Sequence, residues 1–109
     1  MRIRKELLKG STAIMILKII SKEDAYGYQI TQELYANSGE TFKLNEGTLY
    51  PILHTLEKDG LIKSYSKMSE QGRLRKYYSI TPLGRVNLAA QIEEWRVFSK
   101  AVDAILKEN

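Results

Sequence analysis

The chain contains no cysteine and a single histidine among its 109 residues. Without thiols it can form no disulfide, no thiolate nucleophile and no cysteine-type zinc site. The one imidazole, His54, lacks the second ligand or the paired carboxylate that a metal site or acid–base catalysis requires. No nucleophile, base and orienting residue can be assembled from the motifs present. The sequence therefore predicts no metal site, no cofactor and no enzymatic activity.

A long hydrophobic run is missing as well. The apolar segment 13–20 is far shorter than the ~20 residues of a membrane-spanning helix, and it contains Lys18. Nothing in the chain resembles a signal peptide, and no linker, internal repeat or low-complexity segment divides it. We therefore expect a cytoplasmic protein of one domain that has no membrane partner.

The excess of positive charge is moderate. The net charge is +4 and the isoelectric point is about 9.3. These values fit a polyanionic partner, although many proteins without a nucleic-acid role are equally basic. A chain of this length has room for a modest core and gains from oligomerisation. Composition is therefore compatible with nucleic-acid binding but does not establish it.

The segment from residue 45 to residue 59 has the period of an amphipathic helix. Leu49, Ile52, Leu53 and Leu56 follow the i, i+3, i+4, i+7 spacing that places them on one face. The opposite face carries no acidic side chain beyond Glu46 in the first turn, so it can approach phosphates and base edges. The candidate DNA contacts on this helix are Asn45, Gly47, Thr48, Tyr50, Pro51, His54 and Lys58.

Pro51 conflicts with a helix that begins near Asn45. Proline lacks an N–H and crowds the carbonyl four residues earlier, here that of Gly47, so local rules alone would begin the helix at Pro51. We expect the longer helix, because glycine is the neighbour best able to absorb the distortion. Asn45 is then the predicted N-cap, and Gly60 follows the last turn.

Two short basic strands are predicted after Gly60. The segments 61–68 and 73–80 are rich in aromatic and β-branched residues, and a turn cluster at 69–72 separates them. Cations at the tip of this hairpin suit contact with the phosphate backbone or a minor groove. Alone, they are equally typical of a solvated hairpin, but their position directly after the amphipathic helix favours DNA. The candidate contacts are Lys67, Arg73, Arg75 and Lys76.

The remaining segments are predicted to be helical. We expect helices at about 5–21 and 26–37, with Asp24 as N-cap and Gly39 as stop of the second, and a long helix from Pro82 almost to the end. The first helix is apolar nearly all round and must be covered on more than one face. The last has apolar residues at heptad spacing, typical of helices that pack along their length. At about 26 residues and 1.5 Å per residue it spans ~39 Å. It either packs on a second chain or folds back on its own domain.

The chain resembles the PadR family of bacterial transcriptional regulators, in its short-tailed branch with one C-terminal helix. The resemblance covers nearly the whole chain. One departure is Leu74, where the family often has another basic or polar residue. The matching motifs are YGY at 26–28, NEGTLYP at 45–51, LEKDGLI at 56–62, GR at 72–73, RKYY at 75–78 and TPLG at 81–84.

This resemblance implies a mainly α fold with a small β-hairpin. A winged helix-turn-helix domain would occupy residues 1–81 and a single dimerisation helix residues 82–109, the two forming one compact unit. The helix that contains Pro51 would be continuous, and the last helix would cross to the partner near that partner's first helix. The residues expected in the dimer interface are Ile16, Leu17, Leu88, Ile92, Trp95, Val102 and Leu106.

The implied function is that of a homodimeric DNA-binding transcriptional regulator, a repressor relieved by a small hydrophobic or aromatic effector. A two-fold symmetric dimer would bind double-stranded DNA at a pseudo-palindromic operator, with half-sites about one helical turn apart or a multiple of it. The alternative is a winged-helix protein-interaction module without sequence-specific DNA binding. The two differ in salt dependence, because only binding to phosphates releases counterions.

Trp95 is open to two interpretations. As the only tryptophan, on a heptad seam, it is typical of a core residue. In some short-tailed relatives, however, a tryptophan at this place faces a pore at the dimer centre and stacks on flat aromatic compounds. By that resemblance, the effector site would be formed in both chains by Leu7, Gly10, Ile14, Ile92, Trp95 and Ser99.

Overall fold

The computed structural model describes residues 3–107, and a mainly helical fold with a small antiparallel sheet is observed, as predicted. Residues 1–2 of the predicted winged-helix domain (1–81) and residues 108–109 of the predicted dimerisation helix (82–109) lie outside the described residues. The elements are α1 (Lys5–Leu8), α2 (Thr12–Lys22), β1 (Ala25–Tyr26), α3 (Gly27–Asn37), α4 (Glu46–Lys58), β2 (Ile62–Met68), β3 (Leu74–Ile80) and α5 (Pro82–Leu106).

The first predicted helix is interrupted, which corrects the expectation of one helix at 5–21. The chain forms α1, turns through residues 9–11, and resumes as α2. The hydroxyls of Ser11 and Thr12 both donate to the carbonyl oxygen of Leu8, at 3.1 and 2.8 Å. Such local side-chain bonds compete with regular helical pairing, and Gly10 adds the lowest helix propensity after proline.

A strand of two residues was missed in the sequence. Ala25 and Tyr26 pair with Tyr78 and Tyr77 of β3, so β3 lies between β1 and β2 in an antiparallel sheet. Two residues are too few to show a strand period. The predicted N-cap of α3, Asp24, was also wrong, because Tyr26 occupies that position.

Both ends of α3 are determined by residues close to them in the sequence. The backbone N–H of Tyr26 donates to the side-chain oxygen of Gln29 at 3.1 Å, which replaces a conventional side-chain cap. After Asn37 the chain leaves the helix, and Gly39 adopts a φ of 61°. That left-handed conformation is the one glycine tolerates, so the predicted stop at Gly39 is confirmed.

The core is built around α2. Ile16 and Leu17 have no exposed surface, Ile20 is almost as deeply buried, and α2 contacts α3, β3 and α5. The chain therefore covers most of this apolar helix itself. Ile16, Leu17 and Leu88, three of the residues expected in the dimer interface, expose almost no surface in their own protomer, and the interface stays a prediction.

The last helix leaves the core about halfway along its length. Thr81 caps α5 by accepting the backbone N–H of Gly84 at 2.9 Å, and Pro82 follows in the first turn. Gly84 and Leu88 are the buried residues of this helix, and Ile92 is half-buried. Beyond it, the helix extends away from its own domain in a molecule that measures 57 × 31 × 20 Å.

We predict that Gly84→Ala destabilises the fold by about 2–3 kcal/mol, because added atoms in a close-packed contact force the backbone to move. A Cβ at Gly84 would overlap the carbonyl oxygen of Leu61 and lie 2.7 Å from Cγ1 of Ile80. The measurement is the free energy of unfolding by urea titration.

The matched control is Gly10→Ala. A Cβ at Gly10 would meet nothing within 4 Å, so this change should alter stability by less than about 1 kcal/mol. Equal unfolding free energies for the two variants would contradict the close approach of α5 to Leu61.

Candidate nucleic-acid interface

Helix α4 has the boundaries and continuity that the sequence predicted. It runs through Pro51 without interruption, and the side-chain oxygen of Asn45 accepts the backbone N–H of Thr48 at 2.9 Å. The hydroxyl of Thr55 donates to the carbonyl oxygen of Pro51 at 3.1 Å. The N-cap thus satisfies one of the N–H groups at the start of the helix. Pro51 is the sixth residue of α4, where it lacks the N–H that would bond to the carbonyl oxygen of Gly47.

The two faces of α4 are separated as the pattern indicated. Leu49, Leu53 and Leu56 are buried in the core, whereas Ile52 is only half-buried. The outward face is small, polar or basic, with Glu46 as the acidic residue of the first turn. The exposed residues of this face are Asn45, Gly47, Thr48, Pro51, His54, Thr55 and Lys58.

Tyr50 lies at the edge of that face and packs against the start of α3. A Cβ at Gly27 would come within 2.6 Å of the Tyr50 hydroxyl oxygen, so the absence of a side chain at Gly27 makes room for this phenol. Tyr50 remains 44% exposed. Its ring is therefore positioned by the scaffold while its surface stays available to a ligand.

The predicted basic hairpin is present, with Met68 paired to Leu74 next to its turn, and we call it the wing (β2, β3 and the turn 69–72). Its turn is closed by the backbone N–H of Ser69, which donates to the carbonyl oxygen of Arg73 at 2.7 Å. Gly72 has a φ of 79°, and its N–H donates to the Ser69 carbonyl oxygen at 2.9 Å. The turn residues that separate the two predicted strands in the sequence therefore also form the hydrogen bonds that close the hairpin.

Three tyrosines cover one face of the sheet, and we call them the tyrosine layer (Tyr26, Tyr65, Tyr77). The rings of Tyr65 and Tyr77 stack with centroids 5.8 Å apart and an angle of 16°. Tyr26 meets Tyr77 edge-on, at 5.3 Å and 75°. Each geometry is favourable for aromatic pairs, and together they leave Tyr77 only 6% exposed.

Two of the predicted wing contacts lie on this layer. The Lys67 ammonium is 4.6 Å from the Tyr77 ring centroid, and the Arg75 guanidinium carbon is 5.0 Å from that of Tyr26. Nε of Arg75 is buried and makes no hydrogen bond. Cation–π attraction therefore holds both side chains. Lys76 lies farther from a ring, 5.8 Å from that of Tyr78, and Arg73 is exposed in the turn.

One hydrogen bond joins the wing to the end of α2. The Tyr65 hydroxyl donates to the Asp24 carboxylate at 2.6 Å, and this bond raises the pKa of Tyr65 to about 12, with burial and the carboxylate charge adding to it. The two residues are 41 positions apart, so no local pattern could have paired them. Asp24 therefore has a role that the sequence analysis missed.

The expected effector residues lie on α1, α2, α5 and the turn before α2. Trp95 is 48% exposed, with its ring 5.9 Å from that of Phe98, and Leu7 is 66% exposed. Gly10 is exposed, while Ile14, Ile92 and Ser99 are half-buried. Trp95 is therefore not part of its own protomer's core. A pore between two chains stays a prediction.

Residues 3–107 lack the features of two other classes of site. In this part of the chain, no three His, Cys, Asp or Glu side chains are grouped so that they could hold a metal ion. No helix within the same residues is long and apolar enough to cross a membrane.

Comparison with known proteins gives consistent matches. The transcriptional regulator PadR-like family matches residues 16–90. The chain is 34% identical over 102 residues to the transcriptional regulator Rv3488 of Mycobacterium tuberculosis, covering 94% of this chain and 89% of that protein. A transcriptional regulator from Clostridium thermocellum superimposes with a TM-score of 0.86 at 33% identity, covering 94% of this chain and all of the other. A PadR-like regulator from Bacillus cereus superimposes with a TM-score of 0.85 at 34% identity, covering 96% of this chain and all of the other.

We predict that Tyr65 ionises later than an ordinary tyrosine when the pH is raised, because the Asp24 hydrogen bond favours the protonated phenol. Phenolate absorbance at 295 nm should show a late phase that includes Tyr65, near pH 12, and Tyr78, whose pKa is raised by burial. Tyr65→Phe should remove the Tyr65 part of this phase, and Asp24→Asn should shift that part towards 10. Since the folded pKa exceeds the unfolded one, the stabilisation is complete below pH 10 and is lost between 10 and 12.

The control for this titration is Tyr28→Phe. Tyr28 is 56% exposed, so its replacement removes a phenol without touching the hydrogen bond to Asp24. The late phase should persist in this variant. An Asp24→Asn titration identical to that of the original protein would contradict the assignment.

Proposed function

The chain belongs to the PadR-like family of transcriptional regulators, and we propose that it is a cytoplasmic, homodimeric repressor that binds double-stranded DNA through α4 and the wing. The observation that carries this proposal is the exposed face of α4, which is nearly free of carboxylates and is followed directly by the basic hairpin. Such a face can enter a groove between two rows of phosphates without repulsion.

Base readout is assigned to the middle of that face. Thr48 has a hydroxyl that can donate to or accept from several base edges, and Pro51 can contact a thymine methyl group. His54 and Tyr50 lie on either side and can reach neighbouring bases. The Asn45 side-chain oxygen is already used by the N-cap, so only its amide N–H groups remain for DNA.

Phosphate contacts are assigned to the wing and to Lys58 at the end of α4. Arg73 and Lys76 are exposed and close to the hairpin tip. Lys67 and Arg75 keep their charges on the tyrosine layer, where they add to the positive potential and hold the hairpin in one orientation. These contacts would supply affinity, while the helix would supply discrimination.

Dimerisation is assigned to the exposed half of α5. Trp95, Phe98, Val102 and Leu106 are between 36% and 71% exposed, and Ile105 is 83% exposed. An apolar strip of this length is typical of an interaction site. Pairing it with the same strip of a second chain gives a two-fold axis, and hence a pseudo-palindromic operator.

Relief of repression is assigned to an aromatic effector at Trp95. The half-exposed indole beside Phe98 offers a flat surface on which a planar compound can stack. In the dimer, Leu7, Gly10, Ile14, Ile92 and Ser99 would surround it. The effector would act by favouring one spacing of the two DNA-binding domains, to the extent that its affinities for the two states differ.

We predict that the protein binds DNA from upstream of its own gene more tightly than random DNA at physiological salt, in a steeply salt-dependent manner. Arg73→Ala should weaken binding and reduce the slope of log K against log salt by about 2, because the proposed dimer loses one phosphate contact in each half-site. The measurement is a mobility-shift titration at several salt concentrations, with the mass of the free protein checked by sedimentation against twice 12.5 kDa.

Lys100→Ala is the matched control for this titration, because it removes one exposed positive charge from α5. It should leave the salt slope unchanged. Binding to the upstream DNA that is no tighter than binding to unrelated DNA would sink the repressor proposal and favour the protein-interaction module.

We predict that a compound from a panel of flat aromatics quenches Trp95 fluorescence and releases the DNA over the same concentration range. Trp95→Leu should still retard the DNA, but the compound should no longer release it. Trp95 is the only tryptophan, so the signal needs no deconvolution. Release from the Trp95→Leu variant at unchanged concentrations would place the effector elsewhere.

A further inference from the structure

The tip of the wing carries two large apolar side chains in full view of solvent. Met68 and Leu74 are directly opposite each other at the last rung of the β2–β3 ladder. Their side chains are 58% and 70% exposed. Cross-strand partners have Cβ atoms about 5 Å apart, so the two form one continuous apolar surface. We call it the tip pair.

The tip pair lies on the same side of the sheet as α4. Side chains alternate along a strand, so Met68 shares its face with Ser64 and Leu74 shares its face with Tyr78. Ser64 donates to the Glu57 carboxylate of α4 at 2.7 Å, which identifies this face. The tyrosine layer, with Lys67 and Arg75, occupies the opposite face. The wing therefore presents an apolar tip beside the helix that carries the candidate base contacts.

The surroundings of the tip pair are mostly basic. Arg73 precedes Leu74 in the turn, and Lys76 lies two positions along the same strand face. Lys67 and Arg75 form the next rung, one residue closer to the core but on the other face. Glu70 is the acidic residue of the turn. An apolar centre with cations on both sides complements a surface that has hydrocarbon between two rows of phosphates.

We propose that the tip pair is a wedge that enters the minor groove of double-stranded DNA beside the α4 half-site. The groove is lined by deoxyribose hydrocarbon, and apolar side chains are known to press between base steps there. Arg73 and Lys76 then contact the phosphates on either side. The wedge contributes affinity and a preference for base pairs that leave the groove floor unobstructed. This inference rests on the DNA-binding function proposed above.

The preference follows from the chemistry of the groove floor. A guanine–cytosine pair places the N2 amino group of guanine in the minor groove, whereas an adenine–thymine pair has only acceptors there. Inosine lacks that amino group but keeps the major-groove edge of guanine. Inosine substituted for guanine in the flanks therefore tests the wedge without altering what α4 contacts.

The test uses a duplex that the unmodified protein itself selects from a random pool, with guanine or inosine in the flanks. The unmodified protein should bind the inosine duplex about threefold more tightly, since removal of the amino group relieves a clash with the wedge. Met68→Thr combined with Leu74→Thr should bind roughly tenfold more weakly, because two large side chains no longer bury apolar surface. It should also lose the preference for inosine. Threonine favours strands, so the hairpin is retained.

Salt dependence separates the wedge from phosphate contact. The double variant loses no charge, so its slope of log K against log salt should equal that of the unmodified protein, whereas Arg73→Ala reduces the slope. The control is Val86→Thr, which removes no charge and replaces an apolar side chain that is 69% exposed on α5, away from the wing. It should bind both duplexes like the unmodified protein.

Three results would overturn the wedge. Unchanged affinity of the folded double variant, or a loss of affinity with the inosine preference intact, would show that the tip pair does not enter the minor groove while the DNA-binding function stands. The first of these results would leave the exposed tip pair available to a protein partner. Failure of the unmodified protein to select any duplex would remove the proposed function itself, and the wedge with it. Thermal melting of each variant checks that it is folded.

Discussion

The burial of α2 inside its own protomer is the constraint on which the rest of the structure depends. Ile16, Leu17 and Ile20 are surrounded by α3, β3 and the first half of α5, so these elements take their positions from one apolar helix. The most deeply buried side chains of α2 therefore offer no surface to a second chain, although its half-buried residues, such as Ile14, still do. A strip of exposed apolar side chains lies on the second half of α5, where Trp95, Phe98 and Ile105 are among its members. The same packing that completes the protomer therefore leaves this strip for the proposed dimer contact.

Local signals in the sequence predicted α4 and the wing well. The N-cap at Asn45, the helix through Pro51 and the turn closed at Gly72 each depend on residues within a few positions of one another. What was missed depends on distance along the chain. The strand β1 exists only because β3 is beside it, and the Asp24–Tyr65 hydrogen bond spans 41 positions. Periodicity cannot encode such contacts, because it reports only which face of an element is apolar.

The wing shows why a cluster of cations in a sequence is not yet a set of DNA contacts. Arg75 and Lys76 are neighbours on β3, so their side chains point to opposite faces of the sheet. Lys67 on β2 is paired with Arg75, and both lie on the face that carries the tyrosine layer. There the rings hold them by cation–π attraction. In the proposed DNA binding, their contribution is then to orient the hairpin and to add positive potential. Direct contact is proposed for residues near the turn and on the α4 face of the sheet.

Hydrogen bonds of Thr81 connect the start of α5 to the proposed DNA-binding surface. Its hydroxyl donates to the carbonyl oxygen of Gly60 at 2.7 Å, and its N–H donates to that of Leu61 at 3.0 Å. The same hydroxyl caps α5. The start of α5 is thus bonded to the chain where α4 ends and β2 begins, and Gly84 packs against Leu61 with no room for a side chain. These contacts tie the start of α5 to the end of α4 and the start of the wing. In the proposed dimer, a ligand that changed how the two α5 helices cross would therefore change the spacing of the two α4 helices, without rearranging either domain internally.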